Sequence, residues 1–248
     1  MSLDLPAQFS AGTHWMKFTV HGRSLPSAGA IVRVACAFRE CSLAAYQVLT
    51  GTRDSFLLSG HKPDGSPDGA HRHAYYLPAL NGHGLICEVI VVSPLAAFTP
   101  EEAEAIRLIR ALRWNGPGTT LSVALVSEGD IDEAPIACHW ISASPYVPMR
   151  RYWGTHGKHH LTPEKQLATE FSRLVGVACE VDRVIPIRGL VPVRIGSRQR
   201  QAAPAALARR EAFDAVIRTR APIRGPLVLG HSAHFGLGQF RPASRNEA

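Results

Sequence analysis

The chain has 248 residues, which at ~150 residues per domain makes one to two domains and leaves ample length for a buried core. A hydrophobic content of 46% with 19% charged residues is ordinary for a globular protein, and excludes a disulfide-stapled miniprotein, a fibrous chain or a wholly disordered one. The formal net charge of +7 is unevenly spread: residues 1–144 carry 10 basic and 13 acidic side chains and residues 145–248 carry 17 and 7, so the C-terminal part fits a polyanionic partner such as RNA or DNA.

Residues 14–21 (HWMKFTVH) alternate as a strand does, and the apolar-periodic stretch 28–49 predicts a helix ended by Gly51. Residues 60–69 (GHKPDGSPDG) are turn formers almost throughout and read as an exposed loop. HAYYLPAL and LICEVIVVSPL follow as strands joined by NGHG, in which Asn81-Gly82 suits a tight hairpin turn with positive φ. Thr99, Pro100 and Glu102 spell an N-cap, a first-turn proline and a capping-box acid, predicting a helix with Ala103, Ile106, Leu108, Ile109 and Leu112 on apolar positions. A strand at 119–126 completes the order strand, helix, strand, strand, helix, strand, which is the ferredoxin-like order. The second half restarts with a strand at 137–144, a basic loop, a helix from Thr162-Pro163-Glu164 to about Leu174, and strands near 179–187 and 213–219. A loop or short helix rich in Ala, Arg and Gln lies between those strands, and a glycine-punctuated segment ends the chain. The expected fold class is α+β: tandem ferredoxin-like (RRM-like) units at 14–127 and 136–243, the second degenerate and ending in a glycine-rich loop.

Three segments carry candidate chemistry. His61, His71 and His73 surround one loop beside Lys62 and Arg72, where imidazoles transfer protons near neutral pH; the bland alternative is an ordinary polar loop. SPYVPMRRYWGTHGKHH (144–160) interleaves Arg150, Arg151 and Lys158 with Tyr152 and Trp153, the pairing of cations and aromatic faces that contacts nucleic-acid backbones and bases, or else a solvated basic loop. GHSAHFGLGQF (230–240) spaces glycines so that backbone N–H groups approach a phosphate, or forms a glycine-kinked edge strand; it lacks the Walker Lys-Ser/Thr and the third glycine of a dinucleotide fingerprint. Five cysteines (Cys36, Cys41, Cys87, Cys138, Cys179) form no CxxC pair, so a reduced, cytoplasmic protein is expected, with Cys138-His139-Trp140 read as core packing rather than as a thiol nucleophile. No leader pattern and no stretch near ~18 apolar residues is found, so neither export nor a membrane anchor is expected.

SGHKPDGSPDGAHRHAYYLP, WISASPYVPMRR and RGPLVLGHSAHFGLGQFRP, in that order, resemble the processing-endonuclease part of the fused "five/six" subunit of type I-G (formerly I-U) CRISPR effectors, over residues 14–243. The resemblance implies a RAMP-superfamily protein with tandem ferredoxin-like domains that cleaves CRISPR repeat RNA without a metal or other cofactor. The fused subunits carry a further "five"-like domain for which this chain has no room, so a separate "five"-like protein and other effector subunits are expected partners beside the repeat RNA. Such cleavage needs a base for the 2′-OH, an acid for the leaving 5′-oxygen and cations for the phosphorane, and yields 2′,3′-cyclic phosphate and 5′-OH ends. The positions match His61 as base or acid with His73 or His71 as its partner, and Lys62, Arg72 or Arg23 on the phosphate; Tyr75 and Tyr76 are lesser candidates. RNA contact is expected at Arg150, Arg151, Lys158, His234, Gly236, Gly238 and Arg241, with Arg198 and Arg200 for the repeat hairpin. Two rivals stay open: a non-catalytic crRNA-binding scaffold, which has no need of the three histidines, and a metal-dependent hydrolase that uses them as ligands.

Overall fold

Alternation in WMKFTVH buries Met16, Phe18 and Val20 on one side of β1 (Trp15–His21) and leaves Trp15, Lys17 and Thr19 on the other. The computed structural model describes residues 12–61, 66, 73–116, 118–149, 161–189, 191–194 and 207–244. After a 3-10 turn (Ala28–Ala30), α1 (Ile31–Thr50) buries Ile31, Val34, Ala35 and Phe38, with Phe38 edge-on to Phe18 at 5.0 Å. Gly51 ends α1 as expected, left-handed at φ 79°, its N–H donating to Gln47 O. A short helix, α2 (Phe56–Ser59), precedes β2 (Tyr75–Leu80) and β3 (Ile86–Val92).

The link between β2 and β3 is not the two-residue turn that Asn81-Gly82 predicts. Gly84, at φ 72°, takes the left-handed position, and the Asn81 Oδ1 accepts from the N–H groups of His83 and Leu85 at 2.9 and 3.1 Å. The asparagine side chain thus closes a longer loop that an Asn-Gly pair does not specify by itself. The capping box at Thr99 forms as predicted, but α3 (Pro100–Arg107) stops short of Leu112. Leu112 instead lies in β4 (Ala111–Arg113), paired with Leu121 of β5 (Thr120–Gly129) and buried; sheet pairing overrides the helical periodicity there.

These strands form an antiparallel sheet ordered β2-β3-β1-β5-β4, the ferredoxin-like arrangement with β4 added at one edge. Pro78, which has no N–H to donate, sits on the edge strand β2. The second sheet is built from β6 (Ile136–Ser142), β7 (Glu180–Pro186), β10 (Phe213–Arg224), β11 (Leu227–Val228) and β12 (Gln239–Pro242), in the order β11-β12-β6-β10-β7. Its helix, α4 (Pro163–Val175), is N-capped by Thr162 and ended by left-handed Gly176. The segment expected as loop or helix contains β8 (Val191–Arg194) and β9 (Leu207–Arg210), paired as a ribbon.

The core is continuous between the two sheets. One cluster joins Phe18, Phe38 and Ile106 to Val147, Ala212, Phe235 and Leu237 from the second half, and another gathers Trp140, Tyr146, Leu167, Phe171 and Ile217 around α4. Between β10 and β12, where a ferredoxin-like unit has its second helix, the chain instead runs through β11 and a 3-10 turn (Ala233–Phe235) with Gly230, Ser232, Gly236 and Gly238 all at positive φ. A Cβ on Gly236 would stand 2.5 Å from Pro78 Cδ, and one on Gly238 1.7 Å from Leu229 O. These glycines are therefore required by protein packing. Gly238→Ala is expected to lower stability by about 2 kcal/mol or more in urea unfolding, whereas Gly51→Ala, equally left-handed but with nothing within 4 Å of its Cβ position, should cost only about 1 kcal/mol.

Candidate active site

A relay of caps positions His61. Glu102, buried at 4% exposure, accepts from the Thr99 N–H within the capping box and from the Ser55 hydroxyl at 2.5 Å. Ser55 in turn caps α2 by accepting from Leu58 N at 3.0 Å. One carboxylate thus ties the start of α3 to the start of α2, and α2 delivers Ser59, Gly60 and His61. The buried Arg39 guanidinium donates to Ser59 O, and the same carbonyl accepts from His61 Nδ1 at 2.9 Å, while the His61 N–H donates to Ser59 Oγ at 3.0 Å. A carbonyl only accepts, so Nδ1 carries the proton in the neutral ring and Nε2 keeps its lone pair, the tautomer a general base needs.

His73 lies against the same turn. Gly60, left-handed at φ 69°, leaves no space for a side chain, since a Cβ there would be 2.9 Å from the His73 ring. The structure thus sets the His73 ring against Gly60, the residue before His61. On the other side of His73 stands His234, its ring 3.7 Å from His73 and 3.9 Å from Tyr75, so that it is sandwiched between two side chains that project from one face of the β2 segment. His234 is 8% exposed and set by the 3-10 turn. Burial, with the Glu170 carboxylate adding, pushes the Tyr75 phenol up to about 12, so it stays protonated. Tyr76 points into the core and donates to Leu58 O at 3.4 Å, which makes it a packing residue.

Behind the stack is a cavity of about 160 Å³ bounded by Tyr75, His234, His231, Gly230, Glu170 and Arg173. Glu170, from α4, accepts from Gly230 N at 2.7 Å through Oε1; its Oε2 is buried with no hydrogen-bond partner among the described residues. Burial raises the Glu170 carboxyl above the usual range, against the Gly230 N–H and the Arg173 charge. His231 Nδ1 lies 2.9 Å from Ser232 Oγ, and burial, with Arg210 adding, depresses its imidazole to about 4.

A second, larger groove of about 660 Å³ runs between the helix-free face of the first sheet (Trp15, Lys17, Leu77, Ile90) and β12 of the second, with Arg241 on its wall. Gln239 bridges across at its floor, donating to Pro78 O and Gly236 O at 2.9 and 2.8 Å. Arg23 is not part of either place. It follows His21 at one end of β1, whereas Tyr75 pairs with Val92 beside Trp15 at the other, about 20 Å away at strand rise. Gly236 and Gly238 point at Pro78 and Leu229, and His234 is packed between rings, so these three are structural neighbours of the site. Lys62, His71, Arg72, Arg150, Arg151, Lys158, Arg198 and Arg200 lie outside the described residues. Among the described residues no group of three or more His, Cys, Asp or Glu is placed to hold a metal ion, and no helix is long and apolar enough to cross a membrane.

The chain shares its fold with Cas6b. The similarity to that crystal structure has a TM-score of 0.51 at 12% identity and covers 93% of this chain and 99% of that one. A Cas6 product complex (TM-score 0.47, 11% identity, 94% and 99% covered) is also similar. So is a RAMP protein binding different RNA substrates (TM-score 0.44, 12% identity, 95% and 100% covered). No protein-family model and no curated protein matches the chain.

On a Cas6b-like fold, the residues that sequence reasoning missed are Arg39 and Glu170, and for Glu102, expected only as a capping-box acid, it missed the bond to Ser55. Glu170 shares its cavity with His231, whose behaviour is testable through stability. Between pH 4 and 6.5 the unfolded chain holds a proton on His231 that the folded chain does not, so its contribution is full above 6.5 and is lost as pH falls toward 4. Glu170, raised rather than lowered, acts in the opposite sense in the carboxylate range. Thermal melts of wild type and His231→Asn across pH 4–8 should show the wild type gaining on the variant as pH rises to 6.5 and a constant difference beyond it.

Proposed function

We propose that this chain is a Cas6-like, RAMP-superfamily endoribonuclease that processes CRISPR repeat RNA, made of tandem ferredoxin-like domains. The observation that carries the reading is the placement of the His73 ring against Gly60, next to His61, in the segment that resembles the type I-G processing nuclease, on a fold shared with Cas6b. In the proposed reaction His61 Nε2 removes the proton of the 2′-OH. The oxygen attacks the adjacent phosphate, and the bond to the 5′-oxygen breaks as His73 protonates it, leaving a 2′,3′-cyclic phosphate and a 5′-OH. RNA supplies its own nucleophile, so the step requires no metal. Lys62 and Arg72 are assigned to the phosphorane charge, with His71 as the alternative partner of His61. Arg241, on the wall of the 660 Å³ groove, and Arg150, Arg151, Lys158, Arg198 and Arg200 are assigned to the RNA backbone. The product stays available to other effector subunits, a separate "five"-like protein among them.

Purified protein incubated with labelled repeat RNA in EDTA should cut it, and a single 2′-deoxy substitution at the cut site should stop the reaction while leaving binding intact. His61→Ala and His73→Ala should each slow cleavage by about a hundredfold or more with affinity changed by less than about threefold. Wild-type cleavage rates in both variants place the chemistry elsewhere, and binding without cleavage by the wild type identifies a scaffold. An Arg150→Ala/Arg151→Ala variant should bind more weakly and with a shallower salt slope, by about 0.7–0.9 for each phosphate that is no longer neutralised.

A further inference from the structure

The cavity behind the histidine stack has features that proton transfer by His61 and His73 does not explain. Its volume, about 160 Å³, is below the ~300 Å³ at which sites for drug-sized ligands begin, and suits one heterocyclic ring system. Its walls combine flat apolar surface, from Tyr75, Val228 and Ala233, with a polar end at Glu170. Leaving a carboxylate oxygen buried and unpaired is unfavourable, and Oε2 of Glu170 is such an atom among the described residues. Exposed Met149 and Arg173 also line it, and Met149 immediately precedes Arg150-Arg151 in the chain.

We infer that this cavity is a nucleobase pocket that selects guanine in single-stranded RNA, with the Glu170 carboxylate turning its covered Oε2 toward the cavity and accepting from the guanine N1–H and exocyclic N2–H. The inference rests on the RNA reading above and adds base selectivity to it. An ionised carboxylate is an acceptor only, and its two oxygens match two parallel donors. On the Watson–Crick edge guanine alone offers adjacent N–H donors. Adenine and cytosine set a ring acceptor beside one amino donor, and uracil flanks one N–H with two acceptors. Oε1, though it already accepts from Gly230 N, has a second lone pair. Burial raises the Glu170 carboxyl against the Gly230 N–H and the Arg173 charge, and the guanine donors would add the partner that Oε2 lacks among the described residues. The base would lie beside His234, one ring away from His73, which puts the selected nucleotide next to the proposed cut.

The test is fluorescence anisotropy at fixed salt with the full chain and short oligouridylates carrying one central guanosine, inosine, adenosine or cytidine. The guanosine probe should bind about tenfold or more tighter than the adenosine, cytidine and all-uridine probes, and inosine, which lacks only the N2 amine, should fall between. Glu170→Gln keeps an acceptor for Gly230 but presents an amide to the base, and should bring all probes within about twofold of each other. Equal affinity of the wild-type protein for every probe, or binding of none, overturns the inference, and the inosine comparison decides even where the variant does not fold. Guanosine preference without cleavage of repeat RNA retains the pocket and overturns the nuclease reading. Cleavage without guanosine preference does the reverse.

Discussion

The site depends on the docking of residues 230–238 against β2 and α1. Gly236 sits where a Cβ would be 2.5 Å from Pro78 and 2.9 Å from Ile31, and Phe235 and Leu237 on either side enter the core of the first sheet. Only a segment that takes the left-handed conformation at Gly230, Ser232, Gly236 and Gly238 can turn this tightly, and Ser232 does so with the steric cost of a Cβ. The apolar insertion offsets that cost, because Phe235 and Leu237 are 9% and 2% exposed. His234, in the same turn, is thereby driven into the His73–Tyr75 pair. A side chain more than 150 residues away in sequence completes the surroundings of the first-half histidine, so the two sheets form one site although each has its own strand order.

Buried charge organises the rest. Arg39 and Glu102 are buried and Glu170 is half-buried with Oε2 covered, and each makes hydrogen bonds to backbone or cap groups close to the site: Ser59 O, Thr99 N with Ser55 Oγ, and Gly230 N. A buried charge holding a backbone group is stiffer than a surface pair, since releasing it would strand both partners. The exposed ion pairs, such as Lys17–Glu88 at 2.8 Å on the sheet face, lack this consequence and contribute little to stability. The positional accuracy of His61 is therefore a matter of internal polar contacts, while the excess positive charge of residues 145–248 would act at longer range on the proposed RNA.

Much of the fold is legible locally. The Thr99/Glu102 capping box, the Gly51 stop and the alternation of β1 are encoded in adjacent residues and appear where expected. Where local pattern fails, a distant partner decides: Leu112 leaves its helical phase to pair with Leu121, and the Asn81 side chain, by capping His83 and Leu85, moves the left-handed residue from Gly82 to Gly84. The site divides in the same way. That His73 lies near the turn carrying His61 follows from their closeness in sequence, but His73 stacks on His234, and nothing near either residue announces a stack at 3.7 Å. Glycine spacing marks 230–238 as special, yet spacing does not distinguish a backbone that approaches a phosphate from one that approaches Pro78 and Leu229. Glu170 sits at a helical position like any other polar residue of α4, and its burial comes from Gly230, 60 positions on.

His234 belongs at once to the histidine stack and to the wall of the cavity, so the proposed recognition and the proposed chemistry share one side chain. Its faces contact His73 and Tyr75 at 3.7 and 3.9 Å, distances that leave no slack for an independent ring rotation. A ring entering the cavity would press on a side chain that presses on His73. If His73 transfers a proton as proposed, binding energy at such a pocket would go into holding His73 as well as the ligand, and energy used in that way raises the rate rather than only the occupancy of the site. Under that reading a flat and buried group suits the position between cavity and imidazole, and His234 is stacked on two rings and 8% exposed.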